Sequence, residues 1–171
     1  MLDIDSRGPG FWALILATKG GMQRKSAREK LVALGREATP VLLRLLEDPH
    51  STVRWEAALA LKDIADPRAA EALAGAMKDE NGDVRWVAAE ALAAIGREGM
   101  RTMLKVLMED ANSFELRDAA HVAISLLPDR EDRETLAPIY EALRKGNSPE
   151  VVMMEAAGAL EALELRAKQG A

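Results

Sequence analysis

A chain of 171 residues with 49% apolar side chains can bury a sizeable core, yet only 4% of it is aromatic, so that core has to come from Ala, Leu, Val, Ile and Met. With no cysteine, disulfides, thiolate metal sites and a cysteine nucleophile are excluded, and the composition suits a reducing cytoplasm, the expected compartment. The net charge of −5 is uneven: residues 1–37 carry seven Lys or Arg against four acids, leaving −8 for the remainder, an acidic body that argues against nucleic-acid binding.

Taken in chain order, the first apolar run, 11–17, is far too short to span a bilayer. Asp3 and Asp5 precede it where an export signal carries positive charge, and no small-residue cleavage pattern follows clearly. The run therefore predicts a first helix at about 11–19. Gly20-Gly21 turns it into a second helix, 23–34, whose basic group Arg24, Lys25, Arg28 and Lys30 is read as a solvated face. Gly35 stands where a helix takes a left-handed residue to stop. Thr39-Pro40, Asp66-Pro67 and Ser148-Pro149 each put a capping side chain before a proline, the arrangement that starts a helix. They open helices at 39–47, 67–78 and 149–167. Between them fall helices at 52–64, 83–95 (closed by Gly96), 99–109, 114–127 and 132–144. Apolar residues recur at three and four residues throughout and nothing alternates as a strand would, so the fold class is all-α.

These helices repeat. Val53-Arg54-Trp55-Glu56-Ala57-Ala58-Leu59-Ala60-Leu61 matches Val84-Arg85-Trp86-Val87-Ala88-Ala89-Glu90-Ala91-Leu92 at an offset of 31 residues, and Ile64 falls on Ile95. Upstream, Leu42, Leu45, Leu46 and Asp48 fall on Leu73, Ala76, Met77 and Asp79, then on Leu104, Leu107, Met108 and Asp110. Weaker copies hold Leu116, Arg117 and Ala120 on one side and Arg24, Ala27 and Leu31 on the other. The last copy, Val152 to Leu163, has Met153 where arginine should stand. Degenerate terminal copies are expected where one face meets water. The repeats are placed at about 10–36, 37–66, 67–97, 98–128 and 129–168, one domain of five helix pairs.

A Leu-rich helix, Asp, a short turn, Val-Arg-x-x-Ala-Ala and Ala-Leu resembles the short HEAT-like repeat named after phycobilisome lyases, over about residues 20–165. The resemblance implies a right-handed α-α superhelix in which the second helix of each pair lines the concave face. It also implies a structural ladder of Asp48 with Arg54, Asp79 with Arg85 and Asp110 with Arg117, tying each turn to the following helix start; an arginine fork suits that task.

Position 55 lies about 200° around the helix from the core residue Val53, so Trp55 and Trp86 should look away from the core. Two readings stand side by side: the indoles are anchors for a partner, or they cover alanine-rich seams. With the first, the partner-binding set is Trp55, Leu59, Lys62, Trp86, Glu90, Ala93, Asp118 and Val122. No catalytic residue, metal ligand or cofactor is assigned. His50 and His121 are not followed by Glu, unlike the metal pairs of HEAT-repeat deoxyhypusine hydroxylases, and His121 occupies a packed alanine position. Acids 129–134 read as a solvated helix start, and no phosphate loop or nucleophile elbow is present. The expected function is a scaffold for a protein or peptide, neither enzyme nor membrane protein. The alternatives are a bilin lyase-like subunit holding a tetrapyrrole, whose groove would want more basic or nucleophilic groups, and a nucleic-acid binder like the HEAT-like DNA glycosylases, for which only the first repeat is basic enough.

Overall fold

Alanine, leucine and the long charged side chains that dominate the composition lose little freedom in a helix, and the computed structural model, which describes residues 8–169, is helical throughout with no strand among them. Asp3 and Asp5 lie outside the described residues. The helices are α1 Pro9–Thr18, α2 Gly21–Leu34, α3 Thr39–Leu45, α4 Ser51–Ile64, α5 Ala70–Ala76, α6 Gly82–Ile95, α7 Arg97–Glu109, α8 Phe114–Ser125, α9 Arg130–Thr135, α10 Ala137–Arg144 and α11 Pro149–Gln169. Helices α2, α4, α6 and α8 pack side by side as one row; α1 with α3, and α5 with α7, form the layer behind it. One continuous core, including Leu31, Leu61, Leu92 and Leu104, runs between the layers. Ala57, Ala58, Ala88 and Ala89 are fully buried, and their small side chains let α4 and α6 close tightly on each other.

Helix ends follow backbone chemistry. Gly35 and Gly96 stop α2 and α6 at φ +59° and +80°. At the place equivalent to Gly96, α4 ends on Ala65 at φ +49°, a left-handed conformation that costs an L-residue about 1 kcal/mol. Asp66 caps as expected, accepting from the Arg68 amide. Thr39 does not: it lies inside α3, and its hydroxyl donates instead to Asp66.

The C-terminal third departs from the expected pattern twice. The helix expected at 132–144 is broken at Leu136, because Pro138 lacks an N–H and its ring would strike the carbonyl a turn earlier. The break sends α10 against α8, where Tyr140 stacks on His121 at 4.5 Å, and α11 then lies against α7 and α10. Arg101 on α7 accordingly pairs with Glu164 on α11 at 3.3 Å. The last helix, expected in the same row as α4 and α6, instead covers the buried stripe Met100, Met103, Leu104 and Leu107 of α7.

The turn from α6 into α7 is so close that a Cβ on Gly99 would stand 2.2 Å from the Leu92 carbonyl oxygen. Gly99→Ala should lower stability by about 2–3 kcal/mol in urea denaturation, the scale of overpacking a filled core. Gly75→Ala, in helix α5 with nothing within 4 Å of its Cβ, should be neutral or stabilising by up to about 1 kcal/mol.

Candidate binding face and repeat junctions

Each arginine after the repeated valine was expected to bond the acid of its own turn, directly or through the turn's backbone; Arg54 and Arg85 do so through the backbone carbonyls, and the carboxylates are distributed otherwise. Arg54, 8% exposed, donates through Nη1 to the Asp48 and Pro49 carbonyls at 2.9 and 3.2 Å, so it does tie its own turn through the backbone. Its carboxylate partner, however, belongs to the next repeat: Nε and Nη2 grip Asp79 at 2.7 and 2.8 Å, and Nη2 also reaches Glu80. Burial pushes the Asp79 carboxyl up, but the Arg54 fork and the Asn81 amide hold it below its usual value. Arg85 serves only its own turn, donating to the Asp79 and Glu80 carbonyls at 2.7 and 3.2 Å. Asp48 accepts from the backbone and ring of His50.

The third expected pair does not form. Asp110 pairs with Lys78 at 2.9 Å, and Arg117 donates to the Asn147 carbonyl of the following turn. The cause is length. Arg54 and Arg85 stand six residues after the acid whose carbonyl they bind; Arg117 stands seven after Asp110, and the extra residue carries its fork past that turn.

A second chain of contacts, not foreseen, links the starts of the layer behind. Thr39 donates to the buried Asp66 at 2.7 Å, and Arg68 holds Asp66 while reaching the Arg36 carbonyl at 2.8 Å. The Arg68 fork, with help from Thr39, brings the Asp66 carboxyl down to about 2. Arg97 likewise grips the buried Asp132 at 2.9 Å, which raises the guanidinium pKa. The Asp-Pro signature located Asp66 as a cap but carried no sign of its partner 27 residues back.

The outward face of the row is more closed than the helical wheel predicts. Trp86 stands 52% exposed, and its indole N–H donates to Glu90 at 3.0 Å, while the other Glu90 oxygen takes Lys62 of α4 at 3.0 Å. Lys62 and Glu90 thus form a bridge that fixes the ring. Trp55 and Leu59 are partly buried against the core. Asp118 is exposed, but Ala93 and Val122 are buried. Helix α6 is flanked by α4 and α8, and α8 by α6 and α10, and side chains this short cannot rise above the neighbouring helices. Arg28 of α2 pairs with the buried Glu56 of α4 at 2.9 Å, leaving that part of the basic group committed inside the fold.

Two open clefts follow one another along the row. The first, ≈ 270 Å³, is walled by Ser51, Thr52 and Trp55 of α4 and by Asn81 and Asp83. The second, ≈ 170 Å³, is walled by Gly82, Arg85 and Trp86 of α6 and by Glu115, Asp118, Ala119 and Val122 of α8. Asp83 and Glu115 were not singled out from the sequence, although the repeat offset aligns them three residues before Trp86 and Asp118. His121 is half-buried beneath Tyr140, with Nε2 lacking a hydrogen-bond partner among the described residues. Among the described residues no three His, Asp or Glu side chains converge as metal ligands, and no helix is long and apolar enough to cross a membrane.

Paired helices stacked in two layers, joined by contacts between successive turns, define an α-solenoid. The chain matches HEAT repeats over residues 22–93 and 39–125, more than half its length, and it belongs to the HEAT-repeat family. Comparison with curated proteins found no match.

Arg54 and Arg85 should therefore differ, although they hold the same place in the repeat. Arg54→Ala strands Asp79 against the α4–α6 junction and should cost about 3 kcal/mol. Arg85→Ala removes bonds to turn carbonyls and a neighbouring positive charge but leaves Asp79 its Arg54 fork, and should cost about 1 kcal/mol by chemical denaturation.

Proposed function

We propose that the chain is a non-catalytic scaffold of the short phycobilisome-lyase-type repeat class, whose second-helix row docks a protein or peptide around Trp86. The 31-residue period supports the class. The observation that carries the function is the state of Trp86: half-exposed, with its orientation fixed by Glu90 and Lys62. A large amphipathic side chain pinned in place loses little entropy on binding, which is what makes tryptophan an anchor at interfaces. Trp55 plays a different part, lying against the core with one side open to its cleft. The titratable groups support a binding role as well. Asp66 and Asp79 are held ionised by arginines, which suits a structural ion pair and not a proton donor poised near neutrality. The cytoplasm is the proposed compartment, in keeping with a chain free of cysteine.

Trp86→Ala should leave the unfolding midpoint within about 0.5 kcal/mol of wild type, as expected for an exposed side chain, and should abolish capture of a binding partner from native lysate. Trp55→Ala should cost about 1–2 kcal/mol through lost packing. Should Trp86→Ala melt lower and still retain every captured partner, the ring serves stability alone.

A further inference from the structure

The two tryptophan clefts are copies of one another. In each, an indole on one helix forms one wall and a carboxylate from the start of the next helix forms the other: Trp55 with Asp83, then Trp86 with Glu115 and Asp118. Among the described residues none of these three carboxylates makes an ion pair, whereas Glu56, Asp79, Glu90 and Asp132 are each matched to a cation. Arg85 also lines the second cleft, but its Nη1 is occupied by the Asp79 and Glu80 carbonyls, and two acids face it there. Resting on the docking reading above, we propose that each cleft takes one cationic side chain, and that the occupant of the row is an extended basic peptide segment with two Arg or Lys residues three apart.

The chemistry of a single cleft selects a cation. An ammonium or guanidinium against an indole face is attracted by the ring quadrupole, and the facing carboxylate adds charge pairing in the same small space. Trp86 is held by its edge through the indole N–H, so bonding to Glu90 leaves its face available. An anionic ligand such as nucleic acid or an acidic lipid surface would meet unpaired Asp83, Glu115 and Asp118 and be repelled.

Spacing selects the form of the ligand. Helices in a row pack about 8–10 Å apart, and the two clefts are separated by one such step because they sit on consecutive helices of the row. An extended chain rises about 3.3 Å per residue, so side chains three residues apart are about 10 Å apart. A strand-like segment crossing α4, α6 and α8 can therefore place a cation in each cleft. A helical ligand would bring residues three or four apart to about 5–6 Å and could fill only one cleft with such a pair.

The test uses the whole chain and a synthetic peptide of about twelve residues, Gly and Ser apart from two arginines three apart. Binding is read by intrinsic tryptophan fluorescence, with Trp12 buried and Trp55 and Trp86 bordering the clefts. The di-arginine peptide should bind at least about fivefold more tightly than the same peptide with one arginine, since each cleft contributes on the order of 1 kcal/mol. A di-glutamate peptide should give no change. The isosteric double variant Asp83→Asn with Glu115→Gln, whose melting curve should match wild type, should lose that preference, and raising salt should weaken wild-type binding about tenfold or more. If wild type binds the di-glutamate or uncharged peptide as well as the di-arginine peptide, and Trp86→Ala abolishes that binding, the cation assignment falls and the docking surface stands. If Trp86→Ala and the acid variant both bind the di-arginine peptide like wild type, both readings fall.

Discussion

Arg54 reaching forward to Asp79 is the contact on which the geometry of the row depends. A solenoid repeat touches only its neighbours, so the molecule is held together by interface terms added one by one along the chain. At the α4–α6 interface several of these terms coincide. The alanine pairs let the helices close, Arg54 clips one turn to the next with a two-pronged bond, and Lys62 with Glu90 closes the outer side. Neighbouring interfaces have weaker substitutes: Arg28 with Glu56 before it, and the more exposed Lys78 with Asp110 between the turns after it. The centre of the chain is therefore where the spacing between helices is most firmly set.

That rigidity sits beneath the two tryptophan clefts. Trp55 is seated on α4 and Trp86 on α6, the two helices joined by the Arg54 and Lys62 contacts, and Asp83, which borders the Trp55 cleft, comes from the helix start that Arg54 holds through Asp79. A surface whose parts are already in place spends less of its binding free energy on ordering itself. Frame and proposed function therefore share one set of residues, with the buried arginine fixing the spacing and the exposed aromatic using it.

Much of this was legible in the sequence, and the exceptions share a cause. The 31-residue period revealed the paired helices, the alanine seams and the glycine stops, because each depends on residues close in the chain. Choosing Asp79 over Asp48 as the carboxylate for Arg54 required knowing how far one turn lies from the next, which spacing along a single repeat does not contain. The same holds for Thr39 with Asp66 and Arg97 with Asp132. Ala93 and Val122 were placed outside by the helical wheel, which counts angle and not the height of a side chain against its neighbours. Pro138 carried a readable warning of the break at Leu136, but the destination of α10 and α11 followed from packing alone. Asp83 and Glu115 could have been found by extending the alignment one turn ahead of the tryptophans.

The interaction between Arg54 and Asp79 is measured most directly by a double-mutant cycle, since Asp79 also takes the Asn81 amide and its replacement alone mixes two effects. Unfolding free energies of Arg54→Ala, Asp79→Ala and the double variant isolate the pairwise part. Cross-repeat clamping predicts a coupling of about 2 kcal/mol, with the double variant little worse than either single one. Additive losses would mean that the two residues stabilise their own turns independently and that the spacing of the row is set by apolar packing alone.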